Sequence, residues 1–150
     1  MTHLELKEAV TQAMKNREAL RLSVLRGLMS AATNELVAHG KKPTDELSEE
    51  DLLTLVSRAR KQRLDSIEQF EKGGRQDLAD KEKAELVIIE AMLPRQLSEA
   101  EIQTATKAKA AELGITDATK KNQLMGALMK DLKGRADGNL VKAAVEALFN

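Results

Sequence analysis

Between residues 22 and 36 the apolar side chains step by three and four: Leu22, Leu25, Met29, Ala32, Leu36. That spacing returns a side chain to one face of a helix and gives a narrow seam suited to a second helix. The same period recurs along the chain and is interrupted where Gly and Pro fall. Leu6, Val10, Ala13 and Met14 line one side of a first helix, over about residues 4–15. The second helix covers about 18–38, with Ser23, Gly27, Ser30 and Ala31 on its far side. These small residues either admit another helix closely or face water.

Gly40-Lys41-Lys42-Pro43 breaks the pattern. Ser48 then opens a third helix with Asp51 three residues on. Leu52, Leu55, Val56, Ala59, Ile67 and Phe70 form its stripe, and Gly73-Gly74 ends it. A fourth helix is expected over 76–93, with Leu86, Ile89 and Leu93 inside. Pro94 marks the boundary, and Ser98-Glu99-Ala100-Glu101 after it is a capping box. A fifth helix ends at Leu113-Gly114, and a sixth spans about 120–133 before Gly134. A seventh runs from Asp137 as N-cap to Leu148. The expectation is an all-α chain: a four-helix N-terminal domain over 1–93 and a small three-helix tail domain over 94–150.

Composition agrees with helices. Phe70 and Phe149 are the only aromatic residues, so the core is built of Leu, Ile, Val, Met and Ala. The absence of Cys excludes disulfides, thiolate metal sites and a Cys nucleophile. The first residues lack the apolar run of a signal peptide, and no stretch approaches a membrane span. A cytoplasmic protein with no membrane partner is expected.

No self-contained active site is legible, and no catalytic residue, cofactor or metal is assigned. His3 and His39 are the only histidines. His3, near the terminus, is expected in solvent, and His39, which continues the 3–4 seam of the second helix, in a structural or surface role. Asp65 and Glu68 have Lys61 and Lys72 four residues away, a spacing that supports a helix better than acid–base chemistry. In the run Arg58-Ala59-Arg60-Lys61-Gln62-Arg63, Arg58 and Lys61 point away from the apolar stripe. Arg63 lies within it, and pairing with a carboxylate is the expected outcome.

Net charge is zero but unevenly spread. Residues 1–94 hold 15 Lys and Arg against 17 Asp and Glu, and residues 95–150 hold nine against seven. In the sixth helix Leu124, Met125, Leu128 and Leu132 face inward, and Gly126, Lys130 and Lys133 lie opposite. Gly in a helix interior costs about 1 kcal/mol relative to Ala. On a polar face, close approach of another backbone would offset that cost, and a nucleic-acid strand is one such backbone. Lys130 and Lys133 would supply charge to it. A neighbouring helix of the same chain is the other. Gly134-Arg135 and the N-terminus of the seventh helix extend the basic face, although Asp137 competes for the amides there.

The segments Leu124-Met125-Gly126-Ala127-Leu128-Met129-Lys130 and Lys133-Gly134-Arg135-Ala136-Asp137-Gly138 resemble the motif of the GatB/YqeY tail domain. Ser23-Val24-Leu25-Arg26, Arg63-Leu64-Asp65-Ser66-Ile67-Glu68-Gln69-Phe70 and Met92-Leu93-Pro94-Arg95-Gln96-Leu97-Ser98 resemble further segments of the YqeY family, at about the right spacing. One departure is Lys121-Asn122, where the family often carries Met-Gly. The resemblance implies kinship with the tail of the B subunit of tRNA-dependent amidotransferases, which holds tRNA. It implies carbon–nitrogen ligase activity, with glutamine as nitrogen donor, only in association with other subunits. The expected partners are tRNA and an amidotransferase or another translation-related protein. A helical protein–protein adaptor and an auxiliary amidotransferase subunit are the alternatives. Gly126, Lys130, Lys133, Gly134 and Arg135 would hold nucleic acid, flanked by Lys121 and Lys142.

Overall fold

A computed structural model describes residues 1–150. It is helical throughout, with seven α-helices, one short 3₁₀ helix and no strand. The helices gather into two compact units, Met1–Leu93 and Pro94–Asn150.

The first unit holds α1 (His3–Lys15), α2 (Ala19–Ala38), α3 (Glu49–Lys72) and α4 (Gln76–Glu90). Thr2 and Glu5 form a reciprocal capping box at the start of α1. The Ser48 hydroxyl accepts from the Asp51 amide at the start of α3. Both devices satisfy amides that the first helical turn leaves without partners. α2 packs on α1, α3 and α4, and α3 runs along α4. This explains why α2 buries more than a seam. Leu25, Ala32 and Leu36 are buried as the spacing predicts, but Val24 and Leu28 are buried as well. A helix with neighbours on three others needs a wide apolar face.

Three expectations fail in this unit. Met14 is exposed at the edge of the α1 face, where the Arg26 guanidinium lies 3.8 Å from its sulfur. His3 is not solvated. It is 3% exposed, and its Nδ1 accepts the Leu47 amide at 3.2 Å. The segment after α2 folds back over the start of α1, a long-range event that local spacing does not encode. α4 stops at Glu90 rather than at Leu93. Met92 and Leu93 donate to carbonyls three residues back, as a chain does when the approaching Pro94 disfavours further helix.

The second unit holds α5 (Glu99–Leu113), the 3₁₀ helix Ala118–Lys120, α6 (Lys121–Asp131) and α7 (Gly138–Leu148). Ser98 and Glu101 close the capping box that the sequence predicts. The box is reinforced by Arg95, which donates to both Glu101 oxygens at 3.1 and 3.0 Å. These bonds hold the Glu101 carboxyl down at about 2. Ile102, Leu124, Leu128, Val141 and Val145 form the centre of the core. Thr106 is buried beside them, its hydroxyl donating to the Ile102 carbonyl. α6 is shorter than expected at its C-terminal end. Leu132 is its C-cap, and the Arg135 amide returns to the Leu132 carbonyl to close the turn that follows.

Candidate nucleic-acid interface

α6 is held by one face. Leu124 and Leu128 are fully buried in the tail core, and Met125 packs against it. With about 100° per residue, Gly126 lies on the far side of the axis from these leucines. Gly126 is exposed, and a Cβ built on it would meet nothing within 4 Å. Within the tail unit no helix packs on Gly126, which argues against one of the two explanations for a glycine there. Lys130 stands one turn further on, about 40° round the axis. Lys130 and Lys133 are exposed.

The turn after α6 is fastened from two sides. Gly134 adopts a left-handed φ of 76°, a conformation that favours glycine. Its carbonyl accepts Gln96 Nε2 at 2.7 Å, and the Arg135 carbonyl accepts the Leu97 amide at 2.7 Å. The connector after Pro94 therefore fixes the backbone that carries Arg135. The Arg135 guanidinium donates to the Asp131 carbonyl at 2.8 Å, covering an end group of α6.

Two residues that sequence reasoning did not assign belong to this surface. The Asp131 carboxylate lies 2.5 Å from Lys109 Nζ on α5, and Lys109 also lies 3.1 Å from Glu112. The Lys109 hydrogen bond holds the Asp131 carboxyl below its ordinary range against the opposing effect of burial, and the charges of Lys109, Lys130 and Arg135 add to it in smaller measure. Lys109 and Asp131 are 22 positions apart in the chain. Only an acid within a basic run could have drawn notice to Asp131.

The sequence-expected residues are not all on one face. Lys121 opens α6 and is exposed, but helical geometry puts it about 180° round the axis from Lys130. Lys142 is exposed on α7. The N-terminus of α7 is occupied, because the Asp137 carboxylate accepts the Asn139 amide at 2.7 Å. Its negative charge opposes a phosphate at that point. Met129, 44% exposed, lies over Gly138 at the start of α7, where a Cβ would come within 3.2 Å of its methyl carbon.

Residues 3–149 match the family described as Yqey-like protein. The chain belongs to the YqeY family. Known relatives include the mitochondrial altered inheritance of mitochondria protein 41 of Lachancea thermotolerans. It is 35% identical over 154 residues, covering 96% of this chain and 79% of that protein. The protein of the same name from Candida glabrata is 35% identical over 85 residues, covering 56% of this chain and 45% of that protein. That from Kluyveromyces lactis is 34% identical over 85 residues, with 57% and 44% covered. In these last two the alignment takes in less than half of the relative.

Elsewhere in this YqeY chain the singled-out groups serve structure. His39 is exposed, 3.8 Å from Glu35. Arg63 is half-buried against α4, its Nε 3.4 Å from Glu85 and 3.9 Å from Glu82. That Nε forms no directed hydrogen bond, so the contact is an ion pair rather than a bidentate fork. Arg60 is matched with Glu90 at 3.0 Å, a partner 30 positions away. Of the two local pairs expected on α3, Lys72 with Glu68 is formed at 2.7 Å. No helix is long and apolar enough to cross a membrane.

Proposed function

We propose that this YqeY protein is a non-catalytic accessory factor that binds tRNA, or a complex carrying it, through the α6 face and following turn of its tail. Met1–Leu93 and Pro94–Asn150 act as separate domains in this reading, and the protein works in a reducing compartment such as the cytoplasm. The observation that carries the reading is Gly126. It is a helix-interior glycine in open space, one turn before Lys130 and followed by Lys133 and Arg135. A glycine there costs helix stability without admitting another helix of the tail unit, and a phosphate strand is a ligand that would use both the bare backbone and the charge. The likeness of residues 124–138 to the tail of the amidotransferase B subunit supports the same assignment. Phosphate contacts position a ligand without reading sequence, so little sequence preference is expected.

The test is a gel shift with total tRNA across a salt series. Three to five phosphate contacts correspond to a slope of log affinity against log salt of about −2 to −4. The triple variant Lys130/Lys133/Arg135→Ala loses most of the affinity. Gly126→Ala gains about 0.5–1 kcal/mol of stability and binds tRNA more weakly. Gly27→Ala, at the equally open glycine of α2, gains similar stability and binds as before. Equal binding by every variant, or none by the parent at moderate salt, overturns the proposal.

A second reading, a protein–protein adaptor, is favoured by a groove of about 270 Å³ between α2 and α3. Gly27, Leu28, Ala31 and Leu55 line it, with Arg58 among them. A partner bound there would be lost on filling Gly27 and retained on changing Gly126. Co-purification with amidotransferase subunits would favour a third reading, an auxiliary amidotransferase subunit.

A further inference from the structure

The strongest feature beyond the surface itself is the acid set inside it. Asp131 closes α6 between Lys130 and the turn that bears Lys133 and Arg135. Its carboxylate lies 2.5 Å from Lys109 Nζ, and its main-chain carbonyl accepts the Arg135 guanidinium at 2.8 Å. Lys109 is held inward by this contact, its side chain only 19% exposed. Its other partner, Glu112, is 66% exposed, and a pair so open to water is a weak hold. One acidic residue thus engages a lysine of α5 with its carboxylate and an arginine of the following turn with its carbonyl. The field of a second lysine also falls on its carboxylate.

We infer that Asp131 is a built-in counter-anion of the basic surface, and that an incoming phosphate takes its place on Lys109. This rests on the reading of that surface as a nucleic-acid interface and assigns Lys109 to it as a further contact. The physical ground is competition. A carboxylate and a phosphate oxygen seek the same ammonium donors, and every cation that stays with Asp131 releases no counterion on binding RNA. Asp131 therefore sets affinity below what the lysines and arginine would give alone. It keeps the surface from behaving as an indiscriminate polyanion binder. The ion pair also ties α5 to the C-terminal end of α6, so the lysine is positioned before the ligand arrives.

The experiment measures total-tRNA affinity and its salt slope for the full-length parent, Asp131→Asn and Glu112→Gln, with helicity checked by circular dichroism. The last two change net charge equally and relieve the same lysine. Only Asp131 also stands with Lys130 and Arg135. Asp131→Asn is expected to bind tRNA about three- to tenfold more tightly at low salt, since the charge it loses lies within a few ångströms of the ligand cations. Its slope steepens by about 0.7–0.9, the share of one added phosphate contact. Glu112→Gln changes affinity less than about twofold, as expected of an exposed pair. If the parent binds tRNA and Asp131→Asn binds no more tightly, or if both variants gain alike, the inference is overturned and the RNA reading stands. Immobilised heparin separates the remaining case. If none of the proteins binds tRNA, yet Asp131→Asn alone elutes at higher salt, the counter-anion role stands and the RNA reading falls. If none binds tRNA and no elution shifts, both fall.

Discussion

Two basic runs of similar appearance end differently. In α3, Arg58, Arg60 and Arg63 lie 3.6, 3.0 and 3.4 Å from Glu35, Glu90 and Glu85, carboxylates of α2 and α4. At the end of α6, Lys130 is exposed, while elsewhere in the tail Arg95 pairs with Glu101 and Lys109 with Glu112 and Asp131. The difference follows from what lies beside each helix. α3 runs the length of α4, whose sequence from Gln76 to Glu90 is rich in Glu and Asp. α6 packs by its apolar side on α5 and α7 and turns its polar side to water. A basic run therefore identifies an electrostatic site only once the neighbouring elements are known. The open glycines repeat the lesson. Gly27 and Gly126 both have free space where a Cβ would stand, but the charges near Gly27 include Glu35 beside Arg58.

The division into two units gives the largest effects. Leu36→Ala and Ile102→Ala each remove a fully buried side chain, one from each core, and each should cost about 2–5 kcal/mol. With separate domains, Ile102→Ala speeds amide hydrogen exchange only in α5–α7, and Leu36→Ala only in α1–α4. Exchange that rises throughout the chain in either variant would break the division.

A smaller effect tests the α3 arginines. Arg63→Ala leaves Glu82 and Glu85 half-buried beside an empty site and should cost about 1–3 kcal/mol. Arg58→Ala, whose side chain is 57% exposed, should stay within about 0.5 kcal/mol. Urea midpoints for the two variants sharpen the contrast. Equal midpoints would mean that α3 spreads its charge pairing evenly.

The smallest effect concerns the connector of the tail. The Arg95 fork and the Ser98 amide hold Glu101 at about 2, below its ordinary 4.5. Its folded value is depressed, so its contribution is fully present above about pH 4.5 and is lost as pH falls through about 2. An NMR titration should place the Glu101 midpoint near 2. Arg95→Ala should move it upward. A midpoint near 4.5 in the parent would show that the fork does not form in solution.

What could be read in advance was whatever repeats locally. The capping box at Ser98, the break before Pro94 and the Asp137 cap each involve residues within four positions of one another, and all are formed. The stripe of α3 was legible for the same reason. Arg63 was legible because a charge within an apolar stripe demands a partner. The contact of His3 with Leu47, the pair of Arg60 with Glu90 and that of Lys109 with Asp131 span 44, 30 and 22 positions. They depend on where one helix crosses another, which no spacing rule contains.

The sequence by itself determined that the chain is helical, where most of its helices begin and end, and which faces turn inward. Those properties follow from periodicity and from capping groups within one turn. Only the tertiary structure decided which cations are matched by carboxylates, that Gly126 faces open space, and that Asp131 stands among the tail's cations. Charge interactions act through space between elements that the chain separates by tens of residues, so their outcome waits on packing.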